Sequence, residues 1–189
     1  MERVLIVSST SKGTEFLTEL LRSDAFSSIT AVRSGDEARR LLIDDSFDLV
    51  VINAPLGDEF GSELALSLAG SSTSGILLVV RAELADQVSA KVEDYGVFVV
   101  AKPMNRQLFY QAVKLVAASR RRLLGLRREN SQLQKRIEEI RIIDRAKCAL
   151  IQYLGMTEAQ AHRYIEKQAM DMRMTKGQVA ENILKTYEA

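Results

Sequence analysis

The chain has 189 residues, 47% hydrophobic and 27% charged, a balance that suits one or two compact domains and excludes a disordered or fibrous chain. One cysteine, Cys148, and one histidine, His162, exclude an internal disulfide framework and a cluster of soft metal ligands. Net charge is +1 overall, yet residues 1–118 carry 11 Lys and Arg against 16 Asp and Glu, a balance of −5, while residues 119–189 carry 15 against 9, a balance of +6; a polyanionic partner would therefore meet the C-terminal half.

In chain order, RVLIV at 3–7, LVVIN at 49–53, ILLVV at 76–80 and VFVV at 97–100 are short apolar runs, as expected of strands buried on both faces, with Ile29 to Val32 as a weaker fifth. Helical patterns lie between them, over Thr14 to Arg22, Asp36 to Ile43 behind a capping box Ser34-x-x-Glu37, Gly61 to Leu68, and Leu84 to Tyr95. Alternation of this kind, with right-handed crossovers, builds a parallel sheet covered by helices on both faces over residues 1–118.

A long helix is expected from about Asn105. Val116, Leu123, Asn130 and Ile137 recur every seven residues, with Leu126, Leu133 and Ile140 in the d positions and Ser119 breaking that series. These residues predict a coiled-coil linker over 112–143 that joins two copies of the chain, or else an amphipathic helix packed on its own domain. Asn130 resembles the single buried amide that fixes register. Arg120, Arg121, Arg122, Arg127 and Arg128 either solvate this helix or extend a nucleic-acid surface. Beyond it, three short helices are predicted, with Gly155 ending the first, Thr157-x-x-Gln160 opening the second and Thr175-x-x-Gln178 opening the third. Ala146, Leu150, Ala161, Ile165, Ala169, Val179, Ala180 and Ile183 recur at helical spacing as their core.

The five-unit α/β pattern ending in Ala101-Lys102-Pro103, with Asp48 and Gly61 flanking Asn53, resembles the flavodoxin-like receiver domain of two-component response regulators. The resemblance places Ser8 and Ser9 at the family's acidic pair, Asn53 at its phosphorylated Asp, Val80 at its hydroxyl residue and Lys102 at its lysine. Only the lysine survives. Hydroxyls and a neutral amide neither attract Mg²⁺ nor act as an anionic nucleophile, so the expectation is a pseudo-receiver without a metal or other cofactor. Asp58, Glu59 and Asp86 read as solvated charges.

Residues 133–189 resemble the ANTAR domain of response regulators of the AmiR/NasR transcription antitermination type. The resemblance rests on Ile143-Asp144-Arg145-Ala146-Lys147, Leu150, Gly155, Thr157-Glu158-Ala159-Gln160-Ala161, Ala169-Met170-Asp171, Val179-Ala180 and Ile183-Leu184, with Cys148 and His162 departing from it. It implies a dimeric protein that binds an RNA hairpin in a nascent leader transcript. Arg145, Lys147, Arg163, Lys167, Arg173 and Lys176 are the basic residues expected at solvent, with Lys147 and Arg173 foremost; Tyr153 is either a stacking group or a core residue, and Cys148 a small packed side chain.

A DNA-binding regulator and a protein-interaction module controlled by a sensor or sequestering protein remain alternatives. An enzyme is disfavoured, since no nucleophile–base pair or Gly-rich phosphate loop is present. No apolar run approaches the ~20 residues that cross a bilayer, and the opening MERVLIVSSTSKG turns polar too soon for a signal peptide. The expectation is a soluble cytoplasmic protein with no membrane contact.

Overall fold

The computed structural model describes residues 2–22 and 26–187. They divide into two units, residues 1–125 and 126–189. In the first, β1 (Glu2–Ser8), α1 (Ser11–Arg22), β2 (Phe26–Val32), α2 (Gly35–Asp44), β3 (Leu49–Asn53), α3 (Ser62–Ser71), β4 (Gly75–Arg81), α4 (Ala82–Val92) and β5 (Val97–Lys102) alternate as expected. The sheet is wholly parallel in the order β2-β1-β3-β4-β5. One turn of 3-10 helix, Glu93–Tyr95, closes α4 and ends at Gly96, whose φ of 75° suits a residue without Cβ.

Side-chain alternation along the strands splits this core into two layers. Leu5, Val7, Val50, Ile52, Leu78 and Val80 pack towards α2, α3 and α4. Val4, Ile6, Val51, Leu77 and Val79 pack towards α1 and the start of α5 (Arg106–Leu154), through Leu17, Leu21, Phe109, Val113 and Val116. At the α2 N-terminus the Ser34 hydroxyl accepts from Glu37 N–H at 3.1 Å, but the Glu37 carboxylate takes the Arg33 N–H at 2.8 Å rather than that of Ser34, so only half of the predicted box forms. Asp58 supplies the rest, accepting from Gly35 N–H and Asp36 N–H at 3.0 Å each.

The second unit corrects the expected count of helices. Its first helix is not separate: it is the C-terminal end of α5, a 49-residue helix that passes through Gly125 and stops at Leu154 before Gly155, at φ 64°. α6 (Glu158–Met172) and α7 (Lys176–Tyr187) follow. Both predicted capping boxes are complete. Thr157 and Gln160 exchange bonds of 2.8 and 3.3 Å, and Thr175 and Gln178 bonds of 2.9 and 3.2 Å. The core is small side chains on three helices, Ala146, Ala149 and Leu150, Ala161 and Ile165, and Val179, Ala180 and Ile183, with Ala169 partly buried against them.

Candidate functional site

Parallel strands deliver their C-terminal ends to one edge of the sheet, and a crevice forms there because the chain leaves β1 for opposite sides. Ser8 at the end of β1 and Asn53 at the end of β3 are register partners. Asn53 Nδ2 donates to the Ser8 hydroxyl at 2.9 Å, and that hydroxyl, fully buried, donates to the Thr10 carbonyl at 3.3 Å. Ser9 instead donates to the Pro55 carbonyl at 3.1 Å. Neutral groups thus satisfy one another where a hard cation would need carboxylate oxygens, and these residues do not fit the Mg²⁺ site that the receiver fold implies. Among the described residues, no cluster of three metal-binding side chains occurs.

Lys102, at the end of β5, donates through Nζ to the Ala54 carbonyl at 2.8 Å. Burial, with Arg81 beside it, holds its ammonium below the usual lysine range. Val80 does not belong to this site: it is fully buried in the layer under α2, α3 and α4. The residue paired with Lys102 across β4 and β5 is Arg81, so a cation rather than a hydroxyl ends β4. The apolar run of β4 hid this, because its periodicity carries no mark of where the strand stops.

Asp58 and Glu59 are not merely solvated. Besides the Asp58 cap, Glu59 forms a two-pronged pair with Arg39, with N···O distances of 2.5 and 3.0 Å. The Gly35 and Asp36 N–H groups hold Asp58 below the usual carboxylate range. Both acidic side chains are thereby turned to α2.

In the second unit the basic residues fall into two groups. Lys147 is largely covered, between Asp144 at 2.8 Å and Glu158 at 3.1 Å; its bonds to Asp144 and then Glu158 raise its pKa. Lys176 pairs with Glu166 at 2.5 Å, which also lies 3.3 Å from His162, and the Lys176 hydrogen bond chiefly lowers the Glu166 pKa. Arg163, Lys167 and Arg173 are exposed and, among the described residues, make no ion pair. Arg173 ends α6 in the left-handed region at φ 54°, its N–H bonded to the Ala169 and Met170 carbonyls. Arg145 is exposed as well. Lys147, ranked foremost from the sequence, is thus committed within the fold, which spacing could not disclose.

Tyr153 stacks on Tyr187 with ring centroids 5.3 Å apart, a contact within the unit. Cys148 is exposed rather than packed, since the core of this turn of α5 takes Ala146, Ala149 and Leu150 instead.

The α5 stripe needs one correction. Leu123, Leu126, Asn130, Leu133, Ile137 and Ile140 are all exposed, but Val116 is only 2% exposed and belongs to the sheet core. A Cβ on Gly75 would collide with it. On that turn the exposed apolar side chain is Leu115, at 56%. Arg120 is likewise a structural residue, 2.8 Å from Asp48 and donating to the Thr73 carbonyl at 2.8 Å.

The family model described as the ANTAR domain matches residues 131–184. Over 184 residues, 97% of this chain and 90% of the relative, the chain is 28% identical to the transcriptional regulatory protein PdtaR of Mycobacterium tuberculosis. It is 26% identical to the aliphatic amidase regulator of Pseudomonas aeruginosa, covering 74% of each. The receiver domain of an HD-domain protein from Pseudomonas fluorescens superposes with a TM-score of 0.59 at 20% identity, covering 66% of this chain and 92% of that one. A two-component response regulator from Clostridium difficile gives 0.55 at 21%, covering 61% and 95%. These likenesses show that the first unit has the receiver fold.

Proposed function

We propose that this chain, which belongs to the response regulators with an ANTAR output domain, binds an RNA hairpin in a nascent leader transcript as a homodimer and acts by transcription antitermination. The observation that carries the reading is the three-helix unit matched across 131–184, whose α6 leaves Arg163, Lys167 and Arg173 exposed without carboxylate partners. Unpaired cations on a small helical unit suit phosphate contact, and RNA hairpins offer exposed loop bases beside it. Arg145, exposed on α5, is a further basic residue of the unit, while Lys147 and Lys176 are bonded to carboxylates within it. Control does not pass through aspartyl phosphate, because Ser8, Ser9 and Asn53 supply no carboxylate. A sensor or sequestering protein, or a ligand, is the input instead.

The dimer forms through α5. Leu123, Leu126, Leu133, Ile137 and Ile140 make an exposed apolar stripe that water disfavours, with Asn130 setting register. Before Leu123 the stripe continues through Ser119 and Leu115, two steps of four residues that break the heptad where Val116 turns into the receiver core. No helix of the described residues is long and apolar enough to cross a membrane.

The test is a titration of the full chain against hairpin RNA and duplex DNA of equal charge at two salt concentrations, beside an Arg163→Ala, Lys167→Ala variant. Tighter hairpin binding that the variant loses is expected. Equal binding of both nucleic acids would favour a DNA-binding regulator, and binding of neither a protein-interaction module.

A further inference from the structure

At the C-terminal edge of the receiver sheet, a cleft of about 390 Å³ opens between α1, β3 and the turn after β5. Its walls are carbon-rich, with Phe16, Leu17, Pro103 and Met104 facing it, and its polar groups include Asn53 and Lys102. Among the described residues that line it, none is acidic.

In this fold such a crevice is where ligands enter, and its volume lies in the range of small-molecule sites. Three features define what it would take. The Lys102 ammonium has three donors, of which the Ala54 carbonyl uses one. Asn53 gives one amide hydrogen to Ser8, leaving a second. The carboxylates on the nearby loop, Asp58 and Glu59, are bonded to α2 and its Arg39, and Arg81 beside Lys102 adds positive charge. Phe16 lines the cleft yet stays 44% exposed, an apolar surface that a ligand's body would cover. The geometry points to a binding site for a small organic monocarboxylate, its carboxylate on Lys102 and Asn53 and its apolar body against Phe16, Pro103 and Met104. Replacement of acidic groups by Ser8 and Asn53 turns a cation-binding edge into an anion-binding one, and gives a chain without a phosphorylation site a chemical input at the same edge of the sheet.

The full chain tests this by calorimetric titration with 3-phenylpropionate, its neutral amide 3-phenylpropanamide, and inorganic phosphate. Saturable binding of the carboxylate is expected, with the amide at least about tenfold weaker because it lacks the charge-assisted bond. Lys102→Gln should weaken binding at least about tenfold for the same reason, and Phe16→Ala about fivefold through lost apolar contact. Asn53→Asp, nearly identical in shape, should weaken it by placing a like charge at the carboxylate. Phe16 is exposed enough for its variant to fold, so misfolding of the lysine variant would leave the test intact. The proposal is overturned if no saturable binding is seen up to about 10 mM, a range that spans weak fragment affinities. It is overturned equally if Phe16→Ala and Asn53→Asp bind as the parent does, or if phosphate binds as tightly as the carboxylate.

Discussion

Asn53 Nδ2 and the buried Ser8 hydroxyl are 2.9 Å apart at facing register positions of β3 and β1. The bond closes the edge of the sheet with neutral groups on both sides. Asn53→Asp supplies a nucleophile but no second carboxylate for Mg²⁺, and without the metal nothing bridges the new carboxylate and the phosphodonor. The variant should take up no label from a small-molecule phosphodonor in the presence of Mg²⁺. Stoichiometric labelling at residue 53 would overturn this.

Asp58 gives a pH signature. Its carboxylate is held below the usual range by the Gly35 N–H first and the Asp36 N–H second, so its contribution to stability is present above the unfolded carboxylate value of about 3.9 and is lost as pH falls through the lower folded value. Asp58→Asn should lower the unfolding temperature at pH 7, and the gap to the parent should close under acid. Thermal unfolding followed by circular dichroism at pH 7 and in a series descending below the unfolded value of about 3.9 checks this; a gap that does not narrow along the series would assign the loss to something other than the ionised cap.

The sequence carried the strands and caps because these are local. Val and Ile runs mark buried strands, and the Thr157–Gln160 and Thr175–Gln178 pairs act within one turn of chain. It did not carry contacts between distant residues. Glu59 meets Arg39 twenty residues away and Arg120 reaches Asp48, and nothing in the spacing of either charge announces its partner. Lys147 looked like a solvated cation for the same reason, since Glu158 reaches it only after the chain turns at Gly155.

The two groups of basic residues should therefore separate in experiment. Arg163→Ala with Lys167→Ala should leave the unfolding temperature nearly unchanged and reduce the slope of log affinity for hairpin RNA against log salt by about two, one per phosphate contact removed. Arg173→Gly should weaken RNA binding too while favouring the left-handed turn at φ 54°. Lys147→Ala should act the other way, losing its ties to Asp144 and Glu158 and so lowering the unfolding temperature with little change in salt slope. Fluorescence anisotropy across a salt series, beside thermal unfolding, checks both. A salt slope altered only by Lys147→Ala would place the contact surface on the wrong residues.

Val116 and Leu126 sit on the same helix but should fail in different ways. Val116 is buried against the receiver sheet, so Val116→Ala should cost the first unit about 1.5–3 kcal/mol of stability through lost burial and a residual cavity, with self-association unchanged. Leu126 is exposed in the isolated chain, so Leu126→Ala should leave monomer unfolding alone and weaken the dimer at least about tenfold, because both copies lose the same contact. In a Cys148→Ser background, Leu126→Cys should oxidise to a disulfide-linked dimer, since facing d positions bring two copies of one residue within bonding range, whereas Val116→Cys should not. Asn130→Leu should tighten the dimer while loosening its register, broadening the set of positions that cross-link. Sedimentation velocity and non-reducing electrophoresis read these outcomes. If Val116→Cys cross-linked as readily as Leu126→Cys, α5 would have to leave the receiver core to pair, and the stepped seam through Leu115 and Ser119 would be wrong.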